Sequence, residues 1–205
     1  MAKEVVSEPS PEIRGKLRHF NRVLMSYIDF QQAHNIAHVI LRDRLHERLR
    51  DPAPGDRFLL QGLNCAMIVA YCRPFSGNDR RRRAVKIPDL PARFLRILTE
   101  EERWLHGVVM EDRDSRLAHS DSEAWEMEPV VYRSAGGHEM LTPMHHLVHE
   151  PLTREATECF CGMADKLREA CFAERRRLEP ELRPYFRVLE HDSEELQQEI
   201  PPPRI

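Results

Sequence analysis

The 205-residue sequence has no uninterrupted apolar run near the roughly 18 residues that a membrane-spanning helix needs. Its first residues, "MAKEVVSEPSPEIRGKLRHF", also lack the apolar block of a secretory signal. A soluble, cytoplasmic protein without a membrane partner is the expectation. Lysine is scarce: 4 residues against 27 arginines. The net charge of −3 is therefore close to neutral while almost every cation is a guanidinium, suited to flat, bidentate contact with phosphate or carboxylate. Any anion-binding surface must be local. A disulfide framework is missing too, because the five cysteines (Cys65, Cys72, Cys159, Cys161 and Cys171) are odd in number and lie inside apolar helical patterns. They read as small buried hydrophobes. The sequence contains no Gly-rich phosphate loop, no Gly-x-Ser-x-Gly and no paired Cys-x-x-Cys, which removes the nucleotide-hydrolase, serine-hydrolase and zinc-ribbon classes. No cofactor is implied.

What is present is mostly helical periodicity. In residues 12–49, Ile13, Leu17, Phe20, Leu24 and Tyr27 recur at helical spacing, and the same seam then meets Gln31, His34, His38, Leu41 and Leu45. This first helix ends before "DPAPGD". Residues 57–73 are apolar on nearly every side, which predicts a second, central helix stopped by Pro74. A loop with four consecutive arginines follows, then a short helix over about 91–98. Thr99 and Glu102 form a capping-box pattern that starts a third helix near residue 100, with Trp104, Leu105, Val108, Val109 and Asp112 on its face. "WEMEPVVYRSAGGHEMLTP" holds two β-favouring runs around Ala-Gly-Gly and reads as a hairpin over about 125–143. A last helix over 152–179 buries Ala156, Phe160, Met163, Leu167, Ala170 and Cys171. The expected organisation is an N-terminal extension (1–11), one all-α helical domain (12–179) carrying the hairpin insertion, and an acidic, proline-rich tail (180–205).

One stretch, "VVMEDRDSRLAHSDSE", places Arg113, Asp114 and His119 where the third helix gives way to polar residues. Arginine-to-histidine spacings of this kind also occur at Arg14–His19 and Arg133–His138, but only Arg113 is followed by Asn, Asp or His and lies at the end of a long helical pattern. At about 100° per residue, Arg113 and His119 point roughly 120° apart on an ideal helix. Both can address one phosphate only if the helix ends or bends near Leu117, or if two protomers assemble the site.

"RDSRLAHSD" behind an amphipathic helix, with "AYCRPFSGN" upstream, resembles the HEPN superfamily, in particular bacterial members related to toxins and phage defence. The resemblance implies a four-helix up-and-down bundle and a metal-independent endoribonuclease working as a homodimer, with an antitoxin or other protein as a further partner. In that scheme His119 is the general acid or base and Arg113 binds the scissile phosphate. Asp114 orients the imidazole or the arginine. The sequence departs from the commonest form of the motif in having Asp rather than Asn after the arginine. A carboxylate there raises the pKa of a touching His119 and repels RNA phosphate. Arg80, Arg81, Arg82, Arg83 and Arg116 are the candidate substrate-binding residues.

Two plainer readings compete. Arg113 and Asp114 also fit a solvated helix end, with Arg116 favourable near the C-terminal dipole, so that the chain is a catalytically inactive helical-bundle interaction or dimerisation protein. A metal-dependent alternative rests on "MHHLVHE", where His145 and His149 are one helical turn apart and Glu150, Cys159 and Cys161 are further candidate ligands. Pro151 interrupts that helix, and Cys-x-Cys is not zinc-knuckle spacing. His34 and His38 read as bundle polarity.

Overall fold

The computed structural model describes residues 9–49, 53, 55–76, 88–114, 127–145 and 150–186. Among these the protein is mostly helical: α1 (Pro11–Arg42), α2 (Leu45–Arg48), α3 (Asp56–Cys72), α4 (Glu100–Asp112) and α5 (Arg154–Leu182), with one antiparallel hairpin of β1 (Met127–Arg133) and β2 (Glu139–His145) between α4 and α5. The short helix expected at 91–98 is a 3-10 helix, Ala92–Ile97. No described helix is long and apolar enough to cross a membrane.

Capping fixes where the helices start. The Ser10 hydroxyl accepts the Ile13 amide at 3.3 Å, and Pro11 supplies the first helical residue, where its missing N–H costs nothing. Thr99 and Glu102 form the expected capping box: Thr99 accepts the Glu102 amide at 3.2 Å and Glu102 accepts the Thr99 amide at 2.8 Å. The same carboxylate accepts from Lys166 on α5 at 2.8 Å, so one side chain both starts α4 and ties it to its neighbour. Thr153 caps α5 through the Ala156 amide at 3.2 Å, two residues later than the sequence pattern placed its start.

The first helix is not continuous to residue 49. It stops at Arg42, and Arg44 takes a left-handed conformation (φ 52°) before the single turn of α2. A non-glycine side chain is strained there, and the break turns Leu45 into the core, where it is 4% exposed. The buried face of α1 is also rotated from the expected seam. Val23, Ser26, Phe30, Ala33, Ala37 and Ile40 are buried, while Gln31 and His34 lie at the margin and His38 is exposed. The reason is that α1, not the second helix, is the central element: it packs along α5 on one side and against α3 on the other. The first turn of α3 leaves Phe58 and Leu59 in solvent.

One main core joins Phe30 and Ile40 of α1, Met67, Ile68 and Tyr71 of α3, Leu105 and Val109 of α4, and Phe160, Met163 and Leu167 of α5. Burying each large side chain contributes about 1.5–3 kcal/mol. On α4 it is Glu102, Leu105 and Val109 that turn inward, and Trp104 is 68% exposed, contrary to the expected face. The α5 stripe of Phe160, Met163, Leu167 and Cys171 is buried as expected, with Ala156 and Ala170 half-buried. A second, smaller cluster of Phe20, Leu178 and Leu182 carries α5 through Pro180 to Leu182, beyond the predicted end at 179. Two buried leucines outweigh one lost backbone bond in a final turn. All five cysteines are free thiols, and burial pushes the Cys72 and Cys171 thiols up to about 12.

The hairpin closes through a three-residue loop in which Ser134 donates to the His138 carbonyl at 2.9 Å and Gly137 adopts φ 80°, as this turn requires. Alternation from that bonded pair makes Pro129 and Pro143, directly opposite each other, a pair whose backbone nitrogens face the outer edges. Neither proline withdraws a donor from the ladder.

Replacing Thr99 by Ala should lower the unfolding free energy by about 1 kcal/mol. Glu102→Ala should cost more, because it frees the Thr99 amide and Lys166 together. Urea denaturation of the two variants measures both effects; equal losses would show that the Lys166 tie contributes nothing.

Candidate functional site

The Arg113–Asp114 region is built where the end of α3 meets the end of α4. Tyr71, fully buried, places its hydroxyl 2.9 Å from Nδ1 of His106 on α4 and 3.3 Å from the Met163 sulfur on α5. Its ring meets Phe30 and Phe160 at centroid distances of 5.6 and 5.0 Å, and Phe75 stands edge-on to His106 at 4.8 Å. Burial holds the His106 imidazolium below its ordinary value of 6.5, so the neutral ring is favoured. The Cys72 thiol donates to the Val109 carbonyl at 3.7 Å. These contacts fix "AYCRPF" against the last two turns of α4, within electrostatic reach of Arg113 and Asp114.

Arg73 of the same segment is turned away from α4. It donates to Asp29 at 3.3 Å and to Gln32 at 3.1 Å, both on α1. The buried Arg22 donates through Nε to the Pro88 carbonyl at 2.5 Å, and the Leu90 amide reaches the Pro74 carbonyl at 2.8 Å. The chain on either side of the four-arginine run is thereby held together at its base.

The regular ladder of α4 ends at Asp112, and Arg113 and Asp114 continue as a π turn. The Arg113 amide reaches both the Met110 and Val109 carbonyls. Such loosened turns are frequent at functional sites. Arg113 Nη1 donates to Asp114 Oδ1 at 2.5 Å, with side chains 28% and 58% exposed respectively. Both charges act on the Cys72 thiol. Burial raises it most, Arg113 pulls it down, and Asp114 and Asp112 push it up. The structure thus brings Arg113 and Asp114 into one ion pair, partly open to solvent, above the end of α3. His119 and Arg116 lie outside the described residues, as do Arg80, Arg81, Arg82 and Arg83.

The candidate metal ligands are not gathered among the described residues, which include no group of three or more His, Cys, Asp or Glu able to hold an ion. His149 and the side chain of His145 fall outside them, and Glu150 is exposed. His34 is occupied on α5, its Nδ1 3.2 Å from the Cys161 carbonyl and 3.4 Å from the Cys161 sulfur, and its ring is 6.4 Å from that of His38. Burial raises the Cys161 thiol.

Two polar constellations were not foreseen. One is the Tyr71–His106 pair, which unites residues that look like core and surface separately. The other centres on Glu174 of α5, whose carboxylate accepts from Arg177 at 2.7 Å, Arg93 at 2.8 Å and His19 at 2.9 Å. The bond from Arg177 chiefly, helped by His19 and by the charge of Arg93, holds the Glu174 carboxyl at about 2 against the opposing effect of burial. Only the spacing from Glu174 to Arg177, one turn of helix, was legible in the sequence; Arg93 and His19 arrive from other elements. Compared with family models, curated proteins and solved structures, the chain matches none of them.

Tyr71→Phe should destabilise the fold by about 1 kcal/mol, because it removes the hydroxyl facing Nδ1 of His106. A His106→Leu, Tyr71→Phe double variant should recover part of that loss in the same denaturation assay. Glu174 sets an acid limb. Its folded value of about 2 lies below the ordinary 4.5, so its stabilisation is complete above pH 4.5 and lost as pH falls toward 2. Glu174→Gln should flatten the melting-temperature profile across that window; an unchanged slope would assign the acid limb to other carboxylates.

Proposed function

We propose that the protein is a HEPN-like, metal-independent endoribonuclease, acting as a homodimer with Arg113, Asp114 and His119 from each protomer at a shared site. The observation that carries the reading is the end of α4 at Asp112. A straight helix would aim Arg113 and His119 apart, and the π turn at Arg113 and Asp114 is a departure from regular helix within the motif itself, which supports the reading.

In the proposed reaction the ribose 2′-oxygen attacks the adjacent phosphorus, and its proton passes to an imidazole. The bond to the 5′-oxygen breaks, and that oxygen takes up a proton. His119 serves as general base or general acid, for which an ordinary value near 6.5 suits neutral pH. Arg113 neutralises charge growing on the phosphoryl oxygens through its planar guanidinium. Asp114 already holds one edge of that guanidinium, which orients it and offsets its charge. Arg116 and the run Arg80, Arg81, Arg82 and Arg83 supply backbone contacts to RNA. A toxin or phage-defence role, with a protein antitoxin as partner, goes with this reading, as does the up-and-down four-helix HEPN arrangement.

A second reading, a non-catalytic interaction or dimerisation protein, is favoured by the hairpin. Val131, Tyr132, Met140 and Leu141 stand 60% to 71% exposed on its two faces, an amount of apolar surface that commonly marks a contact site.

His119→Ala and Arg113→Ala should each reduce cleavage of labelled RNA in EDTA by at least about 100-fold, with unchanged circular dichroism and sedimentation. Asp114→Asn should tighten RNA binding by removing a repelling charge. Cleavage that persists in both alanine variants refutes the assignment. No cleavage by the unaltered protein, together with a change of sedimentation in Val131→Asp, favours the interaction reading.

A further inference from the structure

The net charge of the chain is not spread along it. Residues 187–205 hold five carboxylates (Glu190, Asp192, Glu194, Glu195 and Glu199) against Arg187 and Arg204, which accounts for the whole net charge of −3 and leaves the preceding chain balanced. The same segment intersperses apolar residues, Val188, Leu189, Leu196 and Ile200, among those carboxylates.

The described surface offers a counterpart. Between the 3-10 helix and α5 runs an open groove of about 420 Å³, with Arg93 and Arg96 on one wall and Arg177 on the other. Glu174 fixes the walls: it is 13% exposed and binds Arg93 and Arg177 from different elements, so their guanidiniums are held before any ligand arrives. Among the described residues Arg96 has no hydrogen-bond or ion-pair partner, and Ile97 presents an apolar surface beside it at 46% exposure. Three arginines over one carboxylate leave the groove about two charges positive, with an apolar strip along its floor.

We propose that this groove is the docking site for the acidic segment 188–200 of the same chain. The path is short. Phe186 lies against Phe20, at a centroid distance of 5.1 Å, next in sequence to His19 of the Glu174 cluster. From there back to Arg177 is about 14 Å along the helix, a distance that about four extended residues cover. Glu190 and the carboxylates after it then reach the arginines, and the interspersed apolar residues reach Ile97. Because the segment is tethered, its effective concentration at the groove is on the order of millimolar, so even weak contacts keep other anions out. The inference is independent of RNA cleavage and of the Arg113 site.

The test uses the full chain and inorganic polyphosphate as the probe. Changing Glu190, Glu194, Glu195 and Glu199 together to Gln should increase polyphosphate affinity by roughly tenfold, as expected when a tethered competitor is removed. It should also accelerate amide hydrogen exchange over 93–97 and 170–177. Adding Arg96→Glu to that variant should abolish the gain, and Arg96→Glu alone should remove protection from residues 188–200. Unchanged affinity and exchange on neutralising the glutamates overturns the proposal, as does a gain that survives Arg96→Glu. Protection that grows with protein concentration overturns it in favour of a second copy as occupant.

Discussion

The helical core depends on the close approach of α1 and α5. Ala33 and Ala37 are fully buried on α1, as is Ala164 on α5, so small side chains lie in the part of the core that these long helices share. Around this spine the other helices need only one good face each. α3 contributes Met67, Ile68 and Tyr71, and α4 contributes Leu105 and Val109. A methyl group added to either alanine would press on packing along the whole contact, whereas the rim helices have solvent on one side to yield into.

The polar contacts locate the ends of elements as well as adding stability. Glu102 marks the start of α4 and fastens it to α5, Tyr71 fixes the last turns of α4 over the end of α3, and Glu174 draws the 3-10 helix to α5. With its start and middle held, α4 passes from regular helix into the π turn of Arg113 and Asp114 beside the core.

Periodicity and caps made much of this legible. The Thr99–Glu102 box, the Ala-Gly-Gly turn and the Phe160–Met163–Leu167–Cys171 stripe are local patterns whose physics is contained in a few residues. The errors arose where a distant element decided the outcome. The spacing predicts a seam through Leu24, Tyr27 and His34, and these are half-buried; α1 has neighbours on two sides, so the fully buried arc runs through Val23, Phe30 and Ala37. Trp104 was assigned inward because of its apolarity, yet Glu102 takes the inner position once its carboxylate meets Lys166. Pro180 looked like a terminator because nothing in its vicinity reveals that Leu182 will meet Phe20. At the site, the pairing of Arg113 with Asp114 follows from adjacency, while the partnership of Tyr71 with His106 needs two helices to be placed first.

The facing prolines of the hairpin have a consequence for the behaviour of the protein at high concentration. A strand that approaches either flank at Pro129 or Pro143 finds no amide proton there, so sheet growth is disfavoured in both directions at the same level. The exposed valine, tyrosine, methionine and leucine side chains of the hairpin therefore sit next to a level at which edge pairing is weakened on both flanks.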